Sequence, residues 1–238
     1  MTRMRFSFAR REPLKHISHL DMMRLFQRSL RRSGLPLAYS EGFNPHLRFN
    51  LAAPLPVNVT AAEEYGEIYF TKPVASEQFM SILAQQLPGG LELTGAFIVD
   101  SSAPSLPSLV RAALYRATLV AEPGTAVDPE LYRGALERLM ARKEILAPRS
   151  RKKNKKTYVN IRTYIIEAYF NNPKENNRLE LCLLLQAGSQ GGVSPFFVIE
   201  QLEKELGDER LQKAYWELNR ERLYTDHGQF LQPLSEGM

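Results

Sequence analysis

The chain has 238 residues, 44% of them hydrophobic and 24% charged, with a net charge of +5, one cysteine and no apolar run longer than a few residues. That balance excludes full-length disorder and collagen-like repeats, and a single cysteine excludes an intramolecular disulfide, a Cys-rich zinc site and a self-held iron–sulfur cluster. The apolar run at 181–185 falls far short of the ~20 residues that span a bilayer, and Arg3, Arg5, Arg10 and Arg11 interrupt any leader-like start; a cytoplasmic protein without membrane association is expected.

Residues 4–9 (Met-Arg-Phe-Ser-Phe-Ala) alternate in character and predict a strand. Ser18 opens a helix, with Asp21 at the capping-box position; Leu20, Met23, Phe26 and Leu30 are expected on its apolar stripe and Gly34 just past its end. Residues 35–39 read as extended, 40–45 as a turn-rich loop, 47–52 and 64–71 as strands, 76–87 as a helix ended by Pro88-Gly89-Gly90, and 91–99 as a strand. The order β-α-β-β-α-β predicts a ferredoxin-like unit over residues 1–100. Residues 101–109, rich in Ser and Pro, read as a linker.

The order then recurs over 110–238. Strands are expected at 114–120, 158–170, 179–185 and 215–224, with helices from Pro129 through Arg142 and from Pro195 to Gly207. The predicted fold class is therefore α+β, two tandem ferredoxin-like (βαββαβ) units with antiparallel sheets, the second carrying a basic loop at 149–156. Cys182 lies in an apolar run and reads as a small buried hydrophobe.

Charge is segregated. Residues 1–35 hold nine Lys or Arg against two acids, and residues 142–156 hold eight against one. Each segment is +7, so the remainder is −9, and the positive segments carry the electrostatic footprint of a polyanion site. In the first helix Arg24, Arg28, Arg31 and Arg32 fall about one turn apart, with Asp21 the only acid. Guanidinium groups so placed can grip phosphates. Arg149, Arg151, Lys152, Lys153, Lys155 and Lys156 form a second candidate anchor, whose binding would weaken steeply with salt. Tyr39, Phe43 and His46 are candidates to contact unpaired bases. The plain alternative for each basic run is a solvated face.

His16, His19 and His46 do not form a metal motif, and no metal or cofactor is expected. His19 or His46 could serve as general acid or base. His19 sits at a helix start, where the dipole disfavours its protonation. Gly42-Phe43-Asn44-Pro45-His46 reads either as a structural lock or as a direct contact loop. Phosphate-loop, dinucleotide and nucleophile-elbow motifs are absent; residues 188–192 (Gly-Ser-Gln-Gly-Gly) read as a flexible strand-to-helix connection.

Three stretches carry a resemblance: residues 17–21 (Ile-Ser-His-Leu-Asp), 28–36 (Arg-Ser-Leu-Arg-Arg-Ser-Gly-Leu-Pro), and 39–46, with Ser18, His19, Asp21, Glu41, Gly42, Asn44, Pro45 and His46 as its signature. Residues 53–57 and Glu64-Tyr65 continue it, and Leu47 departs from it where proline is expected. On these residues the chain resembles the radical-SAM-linked domain, a bacterial family of unknown function fused to or encoded beside cobalamin-type radical-SAM proteins. The resemblance implies such a protein as partner and supplies no mechanism. With one cysteine the chain cannot hold that cluster itself.

The expected function is a non-catalytic RNA-binding accessory module for RNA modification or processing, with tRNA or rRNA as partner. A metal-independent endoribonuclease using His19 and His46, and a protein–protein adaptor for the radical-SAM partner through Asp21 and Glu41, are the alternatives.

Overall fold

The computed structural model describes residues 1–122, 125, 127–148, 158–171, 178–207, 214–227 and 230–235. Over these residues it is a mixed α+β protein with a mostly antiparallel sheet and five α-helices. The chain divides into two compact units, Met1–Arg111 with Asn219–Met238, and Ala112–Leu218.

The first unit opens with β1 (Thr2–Arg10), α1 (His19–Arg32), β2 (Phe49–Leu51), β3 (Val59–Phe70), α2 (Ser76–Ala84) and β4 (Leu91–Val99). β4, β1, β3 and β2 are hydrogen-bonded in that order, each pair antiparallel. β1 is central and buried on both faces, so its alternation of apolar and charged residues does not mark one wet side. Met4, Phe6 and Phe8 enter the core with Phe26 and Leu30 of α1 and Phe79 and Leu83 of α2. Phe26 packs edge-on to Phe8 with ring centroids 4.8 Å apart, and Phe6 lies 5.3 Å from Phe79. Gly66 makes room for this cluster, because a Cβ there would collide with the Phe6 ring.

α1 starts where the capping box places it. The Ser18 hydroxyl accepts from the Asp21 backbone N–H at 3.2 Å and donates to the Asp21 carboxylate at 2.7 Å. Its buried stripe differs from expectation. Met22, Phe26, Ser29 and Leu30 are its buried residues, whereas Leu20 is 66% exposed. Rotation about the helix axis is set by Phe26, which must reach both Phe6 and Phe8.

The segment expected to be a linker is anchored. It contains α3 (Leu106–Leu109), whose Leu106 is fully buried, and its backbone carbonyls at Ala103 and Pro104 accept hydrogen bonds from Arg3, with Pro104 also accepting from Arg5.

The second unit is built on β5 (Val110–Ala121), α4 (Pro129–Ala141), β6 (Leu146–Pro148), β7 (Tyr158–Asn160), β8 (Ile165–Asn171), β9 (Glu180–Gln186), α5 (Pro195–Leu206) and the start of β10 (Ala214–His227). β5, β9 and β8 are antiparallel neighbours. Leu181, Leu183 and Leu185 of β9 are fully buried, and Tyr132 stands edge-on to Phe170 and Trp216 at centroid distances near 6.2 and 6.1 Å. Cys182 is buried.

The single strand expected over 158–170 is two, β7 and β8. The Asn160 side chain accepts from the backbone N–H groups of Ile145 and Arg162, both at 3.0 Å, and ends β7 in a turn. The basic run 149–156 lies outside the described residues. The strand expected at 215–224 is β10, which β11 (Phe230–Pro233) pairs with antiparallel. From Asn219 onward the chain groups with the first unit.

Replacing Gly66 by Ala forces the Phe6 ring out of its rotamer well or shifts β3. Overpacking of this kind typically costs about 1–3 kcal/mol, and a lower urea midpoint with unchanged slope is the expected result.

Candidate nucleic-acid interface and its charged support

Three side-chain clusters in the first unit carry charge, two inside and one at the surface. The first interior cluster is centred on Glu64 of β3. Arg220 of β10 meets Glu64 with both a guanidinium Nε contact at 2.5 Å and a second contact through Nη2, and both side chains are almost fully buried. Its remaining donors reach the carbonyls of Pro54 at 2.9 Å and Ala53 at 3.3 Å. Arg10, 1% exposed, donates to the carbonyls of Val59 at 3.1 Å, Pro56 at 2.7 Å and Ile17 at 3.4 Å. Residues 53–59 contain two prolines and little regular structure, so their carbonyls need donors from elsewhere. Two five-donor arginines supply them, which a lysine could not do. Burial lowers the Arg10 guanidinium to about 10, opposed by Glu64.

A second interior pairing lies around Glu67. Its Oε2 accepts from Arg3 Nη2 at 2.8 Å and Arg5 Nε at 3.0 Å, all three side chains being buried. These two clusters correct the charge map. Arg3, Arg5 and Arg10 counted toward the N-terminal positive segment, but they are inside the protein. Lys15 pairs with Glu12, and Arg11 with Glu92 at 3.3 Å.

What remains at the surface is a cleft of about 530 Å³ between α1 and the turn after α2. Arg24, Arg28 and Arg32 line it at successive turns of α1, and Ile17, Leu25 and Leu87 form its apolar side. Asp21 is its only acidic residue, paired with Arg24 at 3.2 Å. The Asp21 carboxyl is held below its ordinary value, first by the Ser18 hydroxyl and then by Arg24. Arg32 is pinned: its Nη2 donates to the Gln86 carbonyl at 2.8 Å and to the Ser29 hydroxyl at 3.1 Å. Ser29 donates to the same carbonyl at 2.9 Å. Arg28 makes no hydrogen bond or ion pair among the described residues. Arg31 is exposed at the end of α1 and does not line the cleft.

The signature loop stands elsewhere on the first unit. The Ser40 N–H donates to the His46 carbonyl at 2.8 Å, and the His46 N–H donates to the Ser40 hydroxyl at 2.9 Å. The loop is therefore closed at its base, and Gly42 turns it with φ +116°. Glu41, Phe43, Asn44, Pro45 and His46 are exposed at its tip, and Phe43 is entirely in solvent. Tyr39, also exposed, bridges Leu47 beneath it.

His46 lines neither the arginine cleft nor the hollow that His19 lines. His19 lines a small hollow of about 10 Å³ with Arg10, Glu64, Phe8 and Met22, room for about one water. Its imidazole is lowered from 6.5, chiefly by burial and then by the Arg220 charge; the helix start invoked from sequence is not the leading cause. His16 Nδ1 lies 2.9 Å from the Asn58 side-chain oxygen and steadies a residue at φ +65°. Among the described residues no group of three His, Cys, Asp or Glu side chains could hold a metal ion, and no helix is long and apolar enough to cross a membrane.

The interior arginines were present in the sequence, but nothing local distinguished them from the surface ones. The signal that could have found them is Glu64 and Glu67 inside the long strand 59–70, since a carboxylate buried there requires a cation.

The fold and the cleft define an α+β protein with a basic surface groove and, separately, buried arginine–carboxylate clusters. The chain belongs to a family described as uncharacterized proteins conserved in bacteria (DUF2344), which matches residues 3–195. No curated protein matches it. Among solved structures it is similar to a chain in the crystal structure of a Cbf5–Nop10–Gar1 complex, at 11% identity and a TM-score of 0.48 over 92% of this chain and 49% of that one. The chain thus spans about half the length of that neighbour.

Glu64→Gln leaves Arg10 and Arg220 buried without a carboxylate and is expected to cost about 3–5 kcal/mol. Pairing it with Arg220→Met recovers part of that loss, which a double-mutant cycle from urea melts measures. The His19 imidazole is depressed in the folded state, so the unfolded chain takes up the proton first. Stability is therefore full above the ordinary 6.5 and declines as pH falls toward the lower folded value. Urea midpoints between about pH 7 and 5.5 should fall for the wild type and fall less for His19→Gln.

Proposed function

We propose that the protein is a non-catalytic RNA-binding module made of two tandem ferredoxin-like units, acting in the cytoplasm in RNA modification or processing. The strand orders support the architecture: β4-β1-β3-β2 and β10-β5-β9-β8 both follow the 4-1-3-2 order, with a helix after the first and third strands of each. The observation that carries the function is the row Arg24, Arg28 and Arg32 along one cleft, opposed by a single carboxylate. Positions four residues apart rise about 6 Å along a helix, so neighbouring guanidinium groups of the row can share a backbone phosphate within side-chain reach.

The exposed Phe43 and Tyr39 offer aromatic surface for unpaired bases. The basic run 149–156 supplies a second anchor; the paired strands β6 and β7 flank it. The protein brings no cofactor of its own and serves a radical-SAM protein, the partner that the sequence resemblance implies.

Filter binding of tRNA and rRNA fragments across a potassium chloride series tests this reading. Affinity should fall linearly with salt on logarithmic axes, with a slope near 0.7–0.9 per phosphate contacted. The variant Arg24→Gln/Arg28→Gln/Arg32→Gln, which leaves 149–156 intact, should lose about two units of that slope. A flat salt response of the wild type, or a variant indistinguishable from it, would overturn the assignment.

A further inference from the structure

Resting on the RNA reading, we propose that the cleft between α1 and the turn after α2 takes one unpaired ribonucleotide, its phosphate on Arg28 and Arg32, its ribose hydroxyl on Asp21, and its base against Ile17, Leu25 and Leu87. Four features of the cleft lead to this.

The first is size. At about 530 Å³ the cleft lies within the ~300–1,000 Å³ range of small-ligand sites. A phosphate-backbone track needs only a charged ridge. This is a concave site with an apolar side.

The second is the division of labour among the arginines. Arg24 is engaged by Asp21. Arg32 is held through Nη2 by the Gln86 carbonyl and Ser29, so its guanidinium plane is already ordered before a ligand arrives. Arg28, one turn away and unpaired among the described residues, is the group with donors to spare. A phosphate seated between Arg28 and Arg32 receives charge-assisted hydrogen bonds from both.

The third is the apolar side. Ile17, Leu25 and Leu87 line the same cleft as the arginines. An inorganic anion or a sugar phosphate has nothing to place against them. A nucleobase has a flat, weakly polar face that gains from leaving water, and it can reach this wall only when unpaired.

The fourth is Asp21. A carboxylate is a poor neighbour for a phosphate but a good acceptor for a ribose hydroxyl. Its two oxygens offer about four acceptor sites. Ser18 at 2.7 Å and Arg24 at 3.2 Å occupy one on each, which holds the group in place and leaves capacity free. An acceptor for the 2′-hydroxyl is what allows RNA to be told from DNA.

The test is calorimetric titration of the full chain with uridine 5′-monophosphate, its 2′-deoxy analogue, uridine and inorganic phosphate. The ribonucleotide is expected to bind at least tenfold more tightly than either uridine or phosphate, and to compete with a labelled single-stranded RNA but not be matched by a duplex of equal length. Arg28→Gln, at an exposed position, should reduce the monophosphate to the level of uridine. Asp21→Asn should narrow the difference between the ribo- and deoxyribonucleotide. Equal binding of the monophosphate and inorganic phosphate, or an Arg28→Gln protein that binds the monophosphate as well as wild type, overturns the inference. Salt-dependent RNA binding with no monophosphate binding defeats this cleft assignment and leaves the RNA reading intact. Monophosphate binding with no RNA binding supports the cleft and defeats the RNA reading.

Discussion

The two carboxylates on β3 are the constraint around which the first unit is arranged. Glu64 and Glu67 are three residues apart in a strand, so they point to opposite faces of the sheet. Both are almost fully buried, and a buried carboxylate is tolerated only when a cation and hydrogen-bond donors come to it. Glu64 takes Arg220 from β10, and Glu67 takes Arg3 and Arg5 from β1. Each arginine then has donors left over, and these are used on irregular backbone: residues 53–59 by Arg220 and Arg10, residues 103–104 by Arg3 and Arg5. One charged pair on each face thus fixes a loop that has no sheet or helix partner of its own.

Arg220 also explains the membership of the C-terminal strand. It lies 156 residues from Glu64 in sequence, and desolvation makes the pair much more costly to break than it is favourable to form. The segment beginning at Asn219 is therefore committed to the first unit, although it follows the second along the chain.

The surface chemistry depends on the same packing. α1 has to place Met22, Phe26 and Leu30 on the sheet. Positions 24, 28 and 32 then fall away from that stripe by the 3.6-residue period, and the polar Ser29 is left to tie the helix to the Gln86 carbonyl. That tie closes one side of the cleft. The arginine row, the apolar wall and the anchored Arg32 are consequences of one helix being seated once, not three separate adaptations.

Much of this was legible without coordinates. The strand at 91–99, the start of the helix at Ser18, the helices after Asp128 and Ser194, and the arginine spacing all follow from period, caps and turn residues, because those signals act within a few residues. The order of the long strands and helices was legible for the same reason, whereas α3, β6 and β11 were not. Other features were not either. Tyr-, Ile- and Val-rich residues 158–170 read as one strand, since the Asn160 side chain that breaks it does so by bonding Ile145, fifteen residues earlier. Leu20 read as core, since only contact with Phe6 and Phe8 sets the rotation of α1. Above all, the sequence by itself determined how many arginines lie near the N-terminus, and only the tertiary structure decided which of them are charge for a partner. Arg3, Arg5 and Arg10 answer buried carboxylates and backbone carbonyls far along the chain, while Arg28 bonds to none among the described residues; local sequence cannot separate them, because burial is a property of the packed chain.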